Sequence, residues 1–397
     1  MKRLLFGLIG LFVVAGCGPA RSQLPAYHGD PQVRGSVVSV EHVGAHSAIE
    51  IRALLWVAKV PAQVSKSVDL YRITYWSRTN GKPVLVSGLM SLPDRGPPKG
   101  TVLWMHGTNY DRKGSVSHPS TEEGVLLSGV FAGGGYLFVA PDLLGLGVSK
   151  APQAYLYNPS TIDVTLDFLR AAQIVSKDLG RPWNPNLYVA GFSQGGHSAA
   201  VIARELERLD DPQWRLKAAA GIEGAYNLAD VSMPVAMGGS SSGHPVYLTL
   251  LALSYATYYG QPLDSVFNPP SAARARTLFD GDHGDQIQGH MPANPRDLFT
   301  PEFLQAYDHK QPNWFTDAER ANEAYMWAPK APFRAYYGDK DVDVSPDDAK
   351  GFVSEARRRG GDAEAVPVGP YDHTESAFHA VPMVRRWFDT LSASPAP

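Results

Sequence analysis

Leu187-Tyr188-Val189-Ala190-Gly191-Phe192-Ser193-Gln194-Gly195-Gly196-His197-Ser198-Ala199-Ala200-Val201-Ile202-Ala203 is the stretch whose reading decides the architecture. Its first four residues form a largely apolar run of the length of a short buried strand, and its last six suit a helix. Between them lies Gly191-x-Ser193-x-Gly195, a motif that is weak alone and gains meaning from the strand before it and the helix after it. A sharp strand-to-helix turn would lift the Ser193 hydroxyl above the sheet. Glycines flank it because the backbone there crowds its neighbours. The free N–H groups and positive end of the helix favour an oxyanion developing beside that hydroxyl. The competing reading is a glycine-rich turn with an incidental serine.

Working outward, residues 101–105 and 136–140 read as short buried strands, with helical spacing over 121–131 between them. Runs at 70–76 and 84–92 flank Thr79-Asn80-Gly81-Lys82, the signature of an antiparallel hairpin. The clearest helix opens with Asn158 as its cap and Pro159 in its first turn. Ile162, Leu166, Leu169, Ala172, Val175 and Leu179 recur along one face until Gly180 and Pro182 end it. Strands alternating with helices predict an α/β fold, a mostly parallel sheet covered on both faces.

The alternation breaks between 224 and 330, where a Gly/Ser tract (238–243), an apolar segment (247–259) and a polar loop (280–290) follow one another. It resumes with strand, helix and strand patterns at 332–337, 346–359 and 363–368, and a last helix at about 376–391. The sequence thus predicts a core in two parts, 61–223 and 331–397, with 224–330 inserted as a helical cap or lid over the strand ends.

Net charge is −3 with 19% charged residues, and no basic stripe interleaved with aromatics occurs, so nucleic acid is not an expected partner. Met1, Lys2 and Arg3 precede an apolar run over 4–14, too short for a bilayer span and of signal-peptide length. The run ends in Val14-Ala15-Gly16-Cys17, which resembles a lipobox, the signal for lipidation of the cysteine and cleavage before it. On this reading 1–16 is a lipoprotein signal peptide and 17–60 a tether. The chain is then exported and lipid-anchored to a bacterial membrane through Cys17. Because Cys17 is the only cysteine, catalytic-cysteine and cysteine–zinc chemistry are excluded.

A serine nucleophile needs a base, and the base needs an orienting acid. The segment after the predicted strand at 332–337 offers Asp339, Asp341, Asp343 and Asp347. This is no calcium-binding EF-hand loop: Val344 stands where glycine is required, and no glutamate closes it. His373 lies just before the last helix, His379 inside it, and His197 one turn beyond Ser193; the latter two read as packed or solvated. Asp280, Asp282, His283, Asp285 and His290 read as a solvated loop, their spacing fitting no helical metal-ligand pair. No metal and no cofactor is expected. The cap aromatics Tyr255, Tyr258, Tyr259, Phe267, Phe303, Tyr307, Trp314, Phe315, Tyr325 and Trp327 read mainly as the cap's own core, or else as walls of an acyl pocket.

His106-Gly107-Thr108, the Asp142-x-x-Gly145-x-Gly147 segment, Gly191-x-Ser193-Gln194-Gly195-Gly196 and the large insertion together resemble the secretory lipase family of α/β-hydrolases. The likeness spans about residues 65–225 and 331–390 and is loose in the cap. It implies an α/β-hydrolase fold and an esterase or lipase acting on a small-molecule or lipid ester. It also implies a triad of Ser193, acid and histidine in that order. Acid-loop spacing in that family favours Asp341 over Asp343, and the last loop gives His373. The backbone N–H groups of Thr108 and Gln194 would form the oxyanion hole, with His106 bracing the loop. A serine peptidase on the same core, an inactive binding lipoprotein, and acyl transfer in place of hydrolysis remain open at this stage.

Overall fold

The computed structural model describes residues 24–393 apart from residue 120, so Cys17 and the signal-peptide reading lie outside the described residues. Chain order is β1 (Val37–His46), α1 (Ala48–Val57), β2 (Val68–Thr79), β3 (Lys82–Pro93), β4 (Thr101–Met105), α2 (Glu122–Phe131) and β5 (Leu137–Pro141). Next come α3 (Asn158–Asp178), β6 (Asn186–Phe192), α4 (Gln194–Leu209) and β7 (Arg215–Ile222). The cap holds α5 (Met233–Gly238), α6 (His244–Tyr259), α7 (Pro269–Leu278), α8 (Pro301–Asp308) and α9 (Trp314–Ala321). The core resumes with β8 (Phe333–Gly338), α10 (Pro346–Arg358), β9 (Ala363–Gly369) and α11 (His373–Ala393).

One nine-stranded sheet runs β1-β2-β3-β5-β4-β6-β7-β8-β9. The first three strands are antiparallel, and from β5 to β9 all neighbours are parallel. The β2–β3 turn has Asn80 at φ 47° and Gly81 at φ 77°, two left-handed residues in succession, which Asn-Gly tolerates best.

The pleat sorts side chains between two cores. Leu103, Met105, Leu187 and Val189 point to the face covered by α3, α4 and α10. Their neighbours Val102, Trp104, Tyr188 and Ala190 point to the face covered by α1, α2 and α11. Tyr255, Phe267, Phe303 and Phe315 belong to a third apolar cluster inside the cap.

Two sequence expectations are corrected. The tether read over 17–60 contains folded elements: β1 pairs antiparallel with β2, and α1 is closed by a reciprocal Ser47–Glu50 capping box that packs Ile51 and Leu55 into the core. Asn158 is not the cap of α3 but its first residue, with Tyr157 at the cap position. Its side chain is occupied elsewhere, donating to the Asn322 carbonyl at 2.9 Å.

Candidate active site

Ser193 stands at the join of β6 and α4 with φ 57° and ψ −119°, a strained backbone that aims its side chain out of the sheet. The glycines around it are sterically required. A Cβ on Gly195 would stand 1.9 Å from the Met105 carbonyl oxygen, and one on Gly191 would stand 2.1 Å from that of Gly195. The Ser193 amide donates to the Ile222 carbonyl at 2.8 Å, which ties the turn to β7.

Three residues distant in sequence meet here. His373, the first residue of α11, places Nε2 2.9 Å from Ser193 Oγ. Its Nδ1 lies 2.6 Å from Asp341 Oδ2. Asp341 Oδ1 accepts the backbone N–H groups of Asp343 at 2.8 Å and Val344 at 3.0 Å, so both carboxylate oxygens are engaged. Asp341 and His373 are both buried. Burial works against charge on Asp341, but His373, helped by Glu223 and the Val344 amide, outweighs it and holds the carboxyl below its ordinary range. The Phe192 ring packs against the imidazole with centroids 4.8 Å apart.

Of the competing acids, Asp343 accepts the Ser241 hydroxyl at 2.6 Å and offers its carbonyl to His244. His197 is buried with Nδ1 2.7 Å from the Ala225 carbonyl and Nε2 3.0 Å from Asn158 Oδ1; burial lowers its pKa to about 4. His379 is exposed and stacks on Tyr371. In the polar cap loop, His283 pairs with Asp280 at 2.9 Å and Asp282 with Arg112 at 2.8 Å.

The loop after β4 lies beside the serine. His106 Nε2 accepts the Leu143 amide at 3.1 Å, which leaves Nδ1 to donate to the Gly107 carbonyl at 2.7 Å and brace the loop. Thr108 Oγ1 meets the Tyr155 hydroxyl at 3.1 Å. Among the described residues, no backbone carbonyl accepts the N–H of Thr108 or of Gln194.

Glu223, which directly follows β7, is a site residue absent from the sequence reading. It is buried beside Asp341 and accepts the Gly338 amide at 2.6 Å. Ligand atoms of Glu223, Asp341 and His373 lie within 4.8 Å of one another, the one metal-like grouping among the described residues. Both imidazole nitrogens are already taken by Ser193 and Asp341, so the trio is better arranged for hydrogen bonding than for a cation.

Under the cap a cavity of about 70 Å³ opens onto Ser193, walled by Tyr155, Leu228, Met233, Leu248 and Leu251. None of the cap aromatics singled out in the sequence lines it, and Tyr255, Phe267, Phe303 and Phe315 pack inside the cap, in keeping with the main reading of them as the cap's own core.

No protein-family model and no curated protein matches the sequence. Solved structures do match. A proposed hydrolase of Legionella pneumophila superposes with a TM-score of 0.85 at 24% identity, over 91% of this chain and 99% of that one. The rice cell wall degrading esterase LipA of Xanthomonas oryzae superposes at 0.80 with 23% identity, over 90% and 99%. Candida antarctica lipase A superposes at 0.64 with 14% identity, over 92% and 84%. The fold is the α/β-hydrolase fold. Within it the serine follows a central parallel strand, while Asp341 and His373 follow β8 and β9 at the same edge of the sheet. This hydrolase fold carries its insertion between β7 and β8.

Proposed function

We propose that this protein is a serine carboxylic-ester hydrolase. What carries the reading is the continuous contact from Asp341 Oδ2 through the His373 ring to Ser193 Oγ, at 2.6 and 2.9 Å. The likeness to an esterase and a lipase of the same fold supports it.

In the proposed reaction His373 Nε2 takes the proton of Ser193 Oγ as the oxygen attacks the ester carbonyl. Asp341 fixes the ring so that Nδ1 keeps its hydrogen and stabilises the imidazolium that forms. The carbonyl oxygen, now negative, is received by the amides of Thr108 and Gln194, each worth about 3 kcal/mol in the transition state. Collapse breaks the bond to the alkoxy group, which leaves as the alcohol with the proton from His373. Water, deprotonated by the same nitrogen, then attacks the acyl-enzyme and releases the acid. The test is a p-nitrophenyl ester series on wild type and Ser193→Ala. Turnover retained by a folded Ser193→Ala protein would overturn the assignment.

A second part of the reading concerns location. We infer from Val14-Ala15-Gly16-Cys17 that Cys17 is lipidated and anchors the mature chain to a bacterial membrane, facing away from the cytoplasm. Two acyl chains suffice for stable anchoring. Mass spectrometry of the mature N-terminus checks it, and an unmodified Cys17 in the membrane fraction would refute it.

A further inference from the structure

Glu319 is a fully buried carboxyl on α9, at 0% exposure, lining the cavity that opens onto Ser193. Neither of its oxygens has a hydrogen-bond partner among the described residues. A buried polar group without a partner costs of the order of 1–3 kcal/mol, more if charged, so its presence calls for an explanation.

The neighbours do not supply one. Arg320, the adjacent cation, turns outward and forms a paired contact with Asp230 at 2.9 and 3.0 Å. Glu323 accepts the Ala229 amide at 3.3 Å. Several other polar groups on the wall are engaged: Tyr155 with Thr108, Ser232 with Asp348, Asp343 with Ser241 and His244 with the Asp343 carbonyl, while Gln194 Oε1, beside Ser193, is a second buried oxygen without a partner among the described residues. The remainder of the wall is chiefly aliphatic. A leucine at 319 would suit such a lining better than a carboxyl does.

We infer that Glu319 is a substrate-recognition residue, and that the cavity takes a short acyl group bearing a hydroxyl at its far end. This rests on the ester-hydrolase reading above and names the substrate class for that site. Burial keeps the carboxyl protonated, with Glu323 adding to the effect. A neutral carboxyl and a hydroxyl exchange two hydrogen bonds: the acid O–H donates to the alcohol oxygen, and the alcohol O–H donates to the acid carbonyl. An ammonium group in the same place would require ionising Glu319 and burying both charges, with a desolvation penalty the cavity does nothing to offset. A plain alkyl end leaves the carboxyl unpaired. The cavity, at about 70 Å³, suits a short acyl group.

The experiment compares kcat/KM for ethyl esters of ω-hydroxy acids, three to six carbons long, with those of the matching unsubstituted acids. Wild type is expected to prefer at least one hydroxy ester by about tenfold or more, since sites built to hydrogen-bond a substrate hydroxyl discriminate strongly against analogues lacking it. Glu319→Gln, which keeps a donor and an acceptor, is expected to retain the preference. Glu319→Leu is expected to lose it while still hydrolysing the unsubstituted esters, which shows the variant folded. Plain esters turned over with no hydroxyl preference, an unchanged preference in Glu319→Leu, or a preference for ω-amino esters would each overturn the inference and leave the hydrolase reading intact. Absence of Ser193-dependent turnover on every ester would overturn both.

Discussion

The carboxyl groups of Glu223 and Asp341 face one another at the back of the serine site, both buried, with the Gly338 amide donating to Glu223 at 2.6 Å. Two carboxylates in one buried place cannot both ionise. Burial pushes Glu223 up, and the nearby Asp341 adds to it, whereas Asp341 is held down by His373. The proton therefore resides on Glu223, whose O–H donates toward Asp341 and fixes the carboxylate that orients the imidazole. Glutamine reproduces this arrangement, with its amide N–H as donor and its carbonyl oxygen as acceptor for Gly338. Glu223→Gln is expected to keep kcat within a few-fold. Glu223→Leu, which also strands the Gly338 amide, is expected to lower kcat by about 10- to 100-fold, the worth of one hydrogen bond to a charged group. Equal losses in both variants, measured on one p-nitrophenyl ester, would show that Glu223 only fills space.

The two aspartates Asp341 and Asp343 are two residues apart and differ completely in surroundings. Asp341 touches His373, whereas Asp343 donates its backbone N–H to Asp341, and its side chain accepts from Ser241 in the cap. Asp341→Asn is expected to cost about 10⁴ in kcat through the wrong imidazole tautomer. Asp343→Asn should stay within a few-fold. Steady-state kinetics on the pair decides it; comparable damage from both would reassign the acid.

Steric demand at the turn gives a prediction about stability. Gly195→Ala places a methyl group against backbone oxygens at 1.9 and 2.7 Å, those of Met105 and His106, and no side-chain rotation relieves that. The loop displaced is the one bearing Thr108. A loss of about 3 kcal/mol or more is expected in urea denaturation, together with loss of turnover. Gly351→Ala on α10 is the control: its new Cβ meets nothing within 4 Å, and alanine favours the helix by roughly 1 kcal/mol.

What the sequence disclosed, and what it withheld, follows from how local the signals were. The run 187–203 carried strand, turn and helix in one stretch, and the contacts of Ser193 with His373 and of His373 with Asp341 follow the order expected from the resemblance. Glu223 escaped because β7 reads Arg215-Leu216-Lys217-Ala218-Ala219-Ala220, and alanines signal a helix more than a strand. Without that strand nothing placed Glu223 at the catalytic edge. β1 escaped for another reason: as an edge strand it is only partly buried, and its alternation is diluted by Gly44, His42 and His46. Glu319 had no local mark at all, since α9 looks like an ordinary amphipathic helix and only the packing of α6 and the segment after β7 encloses that residue.

The buried neutral carboxyl of Glu319 also makes stability depend on pH, with a definite sign. Its ordinary pKa is 4.5, and burial raises it well above that in the folded protein. Above about pH 4.5 the unfolded chain has released this proton while the folded chain still holds it. The folded state then binds more protons than the unfolded state, so unfolding free energy falls as pH rises, by about 1.4 kcal/mol per pH unit for one such group. The fall continues until the folded carboxyl itself ionises. Glu319→Gln removes this titration, so its stability relative to wild type should grow as the pH is raised from 5 to 7. Urea denaturation of both proteins at the two pH values measures the difference directly. A constant gap would mean that Glu319 is ionised in the folded protein, and the cavity would then be suited to a cation in place of a hydroxyl.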